Sequence, residues 1–198
     1  MSFVFSGGDP IFDTKPRQVA WLLGEIEGRR LGLPDFQRDF VWDPGATRDL
    51  LVSLMSRFPA GALLTLKQSP SKKAFKPRAV ELAPELDDAD PPTTLVLDGQ
   101  QRLTALYQAL RGVGDTRYLV DLSPFVDSDV RIDVDGLDFD TIVVLEQLKR
   151  GKPFPSDSEA WQFDNWNFPV HRLLSGDGFE SWIEAAVAHH EGSAAEQK

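Results

Sequence analysis

Apolar residues recur at helical spacing in four stretches of the chain. Val19, Leu22, Leu23 and Ile26 predict a helix over 16–30, with Thr14 as its cap, Pro16 in its first turn and Gly32 past its end. Leu50, Leu51, Leu54, Met55 and Phe58 form the apolar face of a second helix. Asp43 caps that helix, Pro44 takes its first position, and Pro59-Ala60-Gly61 stops it. Leu103, Leu106, Tyr107 and Leu110 predict a third helix over 99–111, ended by Gly112 and Gly114. Phe179, Trp182, Ile183, Ala186 and Val187 give a fourth over 178–190. Short apolar runs without helical period read as strands: Ala62–Leu66 and Thr93–Leu97, both expected to be buried, and Tyr118–Leu122. Leu33–Trp42 reads as extended. Arg131–Val134 reads as a strand, and Thr141–Lys149 fits either a strand or a helix.

Strands interleaved with helices give an α/β (α+β) plan, a small mixed sheet flanked by helices. The expected organisation is an irregular lead-in over 1–13, a core over 14–125 and a C-terminal helical extension packed on it over 126–190. A tail over 191–198 is expected to lack order. Within the core, 68–92 is rich in Pro, Ser, Lys and then acid, and reads as an exposed insertion.

Composition narrows the chemistry. The 198 residues include no cysteine, which excludes disulfides, thiolate metal sites and thiol nucleophiles. No apolar run approaches the roughly 20 residues that span a bilayer, and the first residues lack the features of a signal peptide, so a cytoplasmic location is expected. The net charge of −10 argues against a general nucleic-acid binder. The acid is uneven, however. It concentrates in 81–90 and 121–140, whereas 15–57 is nearly balanced and rich in Arg. An anion site therefore belongs on that first segment or on the turn that carries Arg102.

Two polar clusters carry candidate chemistry. In the first, Asp98-Gly99-Gln100-Gln101-Arg102 joins a strand to an amphipathic helix. Helix first-turn amides lack intrahelical partners and sit at the positive end of the dipole, which suits an anion. Gly99 admits close backbone approach, Arg102 adds a phosphate-binding fork, and Asp98 can hold a metal or orient water. The alternative is a capping box, with Asp98 as cap and Gln101 three residues on, which only starts a helix. In the second, Leu33–Trp42, strand alternation would set Phe36, Arg38, Phe40 and Trp42 on one face and Gln37 on the other. Arg38 would then stack among aromatics, bind an anion, or extend past a core-facing strand into solvent.

Together, Leu33-Pro34-Asp35-Phe36-Gln37-Arg38-Asp39-Phe40-Val41-Trp42 and Leu97-Asp98-Gly99-Gln100-Gln101-Arg102-Leu103 resemble the paired motifs of the N-terminal domain of the GmrSD-type restriction family. That domain looks like a member of the ParB/sulfiredoxin-like superfamily. The resemblance runs from about Pro16 to Leu122, and Phe168–Leu174 looks like a family linker. It implies nucleotide binding and, in several members, nucleoside triphosphate hydrolysis tied to defence against phage or modified DNA. By that implication Asp98, Gly99, Gln100, Gln101 and Arg102 contact phosphate, Mg²⁺ or water, with Asp98, Gln101 and Arg102 catalytic. Gln37 and Arg38 would complete the pocket from the neighbouring strand. Restriction members usually carry a C-terminal nuclease domain with a His-containing metal motif. Here the histidines are His171, His189 and His190, and the adjacent pair near the tail has no metal-ligand context. The chain is therefore expected to be the sensor or NTPase half, with any nuclease supplied separately and no membrane partner. Two rival readings remain: a DNA-sensing module using Arg38, Arg48 and Arg57, and a docking module anchored by Trp161, Trp166 and Trp182.

Overall fold

The structure, a computed structural model, describes residues 15–69, 74–126, 138–148 and 152–196. Two strands whose side chains are mostly apolar form the centre of the first sheet. β1 (Leu31–Pro34) is buried along its whole length, and β4 (Thr94–Asp98) buries Leu95 and Val96 completely. They pair in parallel, Leu31 beside Thr94 and Gly32 beside Leu95. β2 (Leu64–Lys67) pairs antiparallel with β4 on one edge, and β3 (Pro77–Arg78) pairs antiparallel with β1 on the other, so the order is β2-β4-β1-β3. Parallel neighbours need a crossover. The chain between β1 and β4 supplies it with α2 (Pro44–Met55) and both edge strands.

A second sheet has the order β6-β5-β7. β5 (Thr116–Asp121) lies between β6 (Val143–Gln147) and β7 (Asn167–Pro169), antiparallel to both. The segment expected to be an extension over 126–190 thus supplies two of this sheet's three strands around one from the expected core. α3 (Gln100–Arg111) joins the sheets, following β4 and leading into β5. Leu103, Leu106, Tyr107 and Leu110 are buried as the periodicity predicts, and Gly112 caps the helix in the left-handed conformation at φ 62°. α1 (Val19–Glu27) buries Leu23 and Ile26. α4 (Ser123–Val126) and α5 (Phe139–Ile142) are single turns. α6 (Glu159–Asp164) and α7 (Gly178–Glu196) pack together. Trp182 of α7 is fully buried and donates its Nε1–H to Gln162 Oε1 at 3.0 Å. Gln162 in turn donates to the Ser156 carbonyl at 2.7 Å.

Several expectations change. The first helix starts at Val19 and ends at Gly28; Gly32 is instead a position in β1, where a Cβ would come within 3.0 Å of the Arg78 carbonyl and the Pro92 ring. Leu33–Trp42 is not one strand: β1 stops at Pro34 and the chain turns, with the Gln37 amide donating to the Pro34 carbonyl. β2 is not buried, because it is an edge strand, and Leu64 is 46% exposed. The second helix stops at Ser56, leaving Phe58 outside its apolar face and exposed. The 68–92 stretch is only partly exposed, since it contributes β3 and buries Val80 and Gln68. The choice over Thr141–Lys149 resolves as one helical turn followed by β6. Phe168–Leu174 is more than a linker: Phe168 sits in β7 and Val170 is fully buried. α7 continues to Glu196, into the expected tail, while Phe179 and Val187 stay exposed on it. Thr14, the lead-in and Arg131–Val134 lie outside the described residues.

Candidate functional site

The turn between β4 and α3 is made by Gly99, which has φ 87° and serves as the helix N-cap without any side-chain cap bond. The capping box from Asp98 to Gln101 does not form, because a left-handed Gly99 moves the helix start one residue beyond the carboxylate. The Leu103 amide is the first to bond back, to the Gly99 carbonyl at 3.0 Å. The amides of Gln100, Gln101 and Arg102 are left without helical partners.

The two glutamines hold the crossing segment. Gln100, 9% exposed, donates from Nε2 to the Arg38 carbonyl at 2.8 Å. Gln101, 8% exposed, donates to the Asp39 carbonyl at 3.0 Å and accepts from the Val41 amide at 2.9 Å. Gln37 reaches the other way and donates to the carbonyls of Val96 and Leu97 at 2.9 and 2.8 Å. Three amide side chains therefore stitch the 37–41 segment to the strand and helix that flank the Asp98 turn. This bonding replaces the expected strand ladder as the device that brings the two clusters together. Arg102 is anchored as well, donating from its two terminal nitrogens to the carbonyls of Ala60 and Ala62 at 2.9 and 3.0 Å. Its guanidinium lies over Gly61, where any Cβ would collide with it.

These residues line one open pocket of about 300 Å³ formed by Gln37, Arg38, Asp98, Gly99, Gln100, Gln101 and Arg102, together with Trp42 and Leu97. Every candidate site residue named from the sequence is present. Trp42 and Leu97 are additions. Both belong to the motif segments, Trp42 closing the first and Leu97 opening the second. Phe36, expected to share a face with Arg38, points elsewhere and packs edge-on against Phe75 at 5.0 Å. Two charged groups at the pocket are uncommitted: among the described residues the exposed side chains of Arg38 and Asp98 make no hydrogen bond or ion pair. The buried oxygens Gln37 Oε1 and Gln100 Oε1 accept no hydrogen bond. The exposed Asp98 carboxylate is an oxygen donor of the kind that suits a hard cation such as Mg²⁺.

Of the residues behind the rival readings, Arg48, Trp166 and Trp182 are engaged in packing. Arg48 bonds the Val143 carbonyl and both the carboxylate and the carbonyl of Asp140, tying α2 to α5 and β6. His189 pairs with Asp164 at 2.7 Å, and His190 stacks on Trp166 with ring centroids 4.6 Å apart. Among the described residues no three His, Asp or Glu side chains converge on a metal position, and no helix is long and apolar enough to cross a membrane. His171 lies against Gly112, and burial, reinforced by Arg117, lowers its pKa below the ordinary 6.5.

Residues 21–185 match the family described as the GmrSD restriction endonuclease, N-terminal domain. An uncharacterized protein of Methanocaldococcus jannaschii is 32% identical over 147 residues, covering 63% of this chain and 25% of that protein. The chain thus spans about a quarter of the length of the curated relative it matches.

Proposed function

This chain belongs to the family of the GmrSD restriction endonuclease N-terminal domain, and from that membership we propose that it binds and hydrolyses a nucleoside triphosphate at the Asp98–Arg102 turn within a restriction or phage-defence system. The observation that carries the reading is the convergence of Arg38, Asp98, Arg102 and the unpaired first-turn amides of α3 on one pocket. The amides and the helix dipole would favour phosphate oxygens. Arg38, free to move, would follow the charge of the terminal phosphate, whereas Arg102, held by two carbonyls, would offer a fixed positive charge. Asp98 would hold Mg²⁺, which supplies neutralisation of phosphate charge, and one carboxylate plus substrate phosphates is a usual way of holding that ion. Hydrolysis on such a plan is mainly positioning and charge stabilisation. Gln101, expected to touch phosphate or water, instead shapes the pocket by fixing the 39–41 backbone. The superfamily likeness to ParB and sulfiredoxin belongs to the same proposal.

The test is a thermal-shift and phosphate-release series with ATP, GTP, CTP and UTP in Mg²⁺. At least one nucleotide is expected to raise Tm by several degrees through mass action. Arg38→Ala is expected to weaken that nucleotide about tenfold with the unliganded Tm unchanged, a loss on the order of 1.4 kcal/mol. Asp98→Asn is expected to remove phosphate release. Silence with all four nucleotides, together with salt-sensitive DNA binding, would replace this reading with the DNA-sensing one.

A further inference from the structure

A second cavity, of about 280 Å³, shares Trp42 with the first. Phe40, Trp42 and Tyr118 give it aromatic walls, and Gln108, Asp115 and Gln147 give it polar ones. Tyr118 is fixed as a wall by its hydroxyl, which donates to the Pro44 carbonyl at 3.2 Å. The two cavities border the same face of α3. Gln101 lines the first, Ala105 and Gln108 line the second, and positions four and seven residues apart fall on the same side of a helix. Seven residues of helix span about 10 Å, comparable to the reach from the phosphates of an extended nucleotide to its base.

The polar groups of this second cavity are not used up by the fold. Among the described residues the side-chain amides of Gln108 and Gln147 make no hydrogen bond. The Asp115 carboxylate accepts only from the neighbouring Thr116 hydroxyl, at 3.3 Å. A glutamine amide presents a donor beside an acceptor, the pattern that matches the edge of a heterocyclic base. Aromatic side chains offer faces on which any base can stack. Joined, the two cavities reach the roughly 300–1,000 Å³ of small-ligand sites.

We propose that the second cavity is the base-binding half of the nucleotide site, with the phosphates at the start of α3 and the base against Trp42 and Tyr118, read by Gln108, Gln147 and Asp115. The proposal rests on the nucleotide reading above. Asp115 adds an acceptor without a donor, so it favours bases that present N–H groups over bases that present lone pairs.

Calorimetric titration of the full chain, in Mg²⁺, with each nucleoside triphosphate and with inorganic tripolyphosphate separates the two halves. Gln108→Leu and Gln147→Ala are each expected to weaken the preferred nucleotide about tenfold and leave tripolyphosphate unchanged. Asp115→Asn is expected to change the rank order of the four nucleotides. Gln147 is exposed on β6, so its variant keeps the test valid should Gln108→Leu fail to fold. Tripolyphosphate binding as tightly as every nucleotide, or both ligands weakening in step, would overturn the base site and leave the phosphate site standing. Binding of neither ligand by the unmodified chain would remove the nucleotide reading itself, and this inference with it.

Discussion

Gly99 combines two demands that no other residue meets. Its φ of 87° lies in the left-handed region, and a Cβ there would come within 2.5 Å of a Leu63 methyl. Gly99→Ala is therefore expected to cost about 2 kcal/mol, from backbone strain and displacement of Leu63. A urea denaturation series measures it as a lower midpoint with unchanged slope. At His171 a single side chain imposes a pH dependence. Its folded-state pKa is depressed by burial and by Arg117 and Arg172, against an opposing pull from Asp157. Below about pH 6.5 the unfolded chain takes up a proton that the folded chain resists. Stability is thus full above that pH and declines as pH falls toward the lowered folded value. His171→Gln is expected to flatten this part of the stability profile between pH 7 and 5. An unaltered slope in the variant would mean that other groups set it.

At the scale of elements, the site depends on how the 37–42 segment is held. Its backbone pairs with no strand; it is fastened by side chains, those of Gln100 and Gln101 from α3 and those of Arg78 and Glu81, which bond the Gln37 and Arg38 carbonyls and the Phe40 amide. Gln101→Leu deletes two of these bonds and leaves the Asp39 carbonyl and the Val41 amide without their partner. Each lost bond is worth about 0.5–1.5 kcal/mol net, so a destabilisation of roughly 2 kcal/mol is expected. Amide exchange at Val41 should quicken more than exchange in β5, which the variant does not touch. Uniform protection loss across the chain would instead indicate a global effect. The same arrangement explains why Gln, Gln and Arg follow one another after Gly99: three consecutive side chains hold two backbone segments, the two glutamines the one at Arg38, Asp39 and Val41, and Arg102 the one at Ala60 and Ala62.

At the scale of the molecule, the two sheets depend on each other through α3 and β5. β5 has Tyr118, Leu119 and Val120 buried, and its neighbours on both sides come from beyond residue 138. A fragment ending at Val126 would expose those residues and two unpaired strand edges, which favours aggregation. It is expected to show no cooperative thermal transition, whereas the full chain shows one. A fragment that melted cooperatively would establish 15–126 as an independent folding unit.

The sequence by itself determined the local elements with strong signals and the identity of the residues at the pocket. Asp43 and Pro44 start α2 as read, with the Asp43 carboxylate accepting from the Ala46 amide at 2.9 Å. The apolar period of α3 gave its buried face, and the motif pair marked the family. Tertiary structure decided where those residues meet and which remain free for chemistry. Alternation could not show that β1 would stop at Pro34, because the side chains that bond the backbone beyond it come from Arg78, Glu81, Gln100 and Gln101, some forty to sixty residues away. Nor could it show that β2 would lie on an edge, since burial depends on which strands pair and not on apolar content. The second cavity was invisible for the same reason: Trp42, Gln108, Tyr118 and Gln147 come from four separate segments that only packing brings to one place.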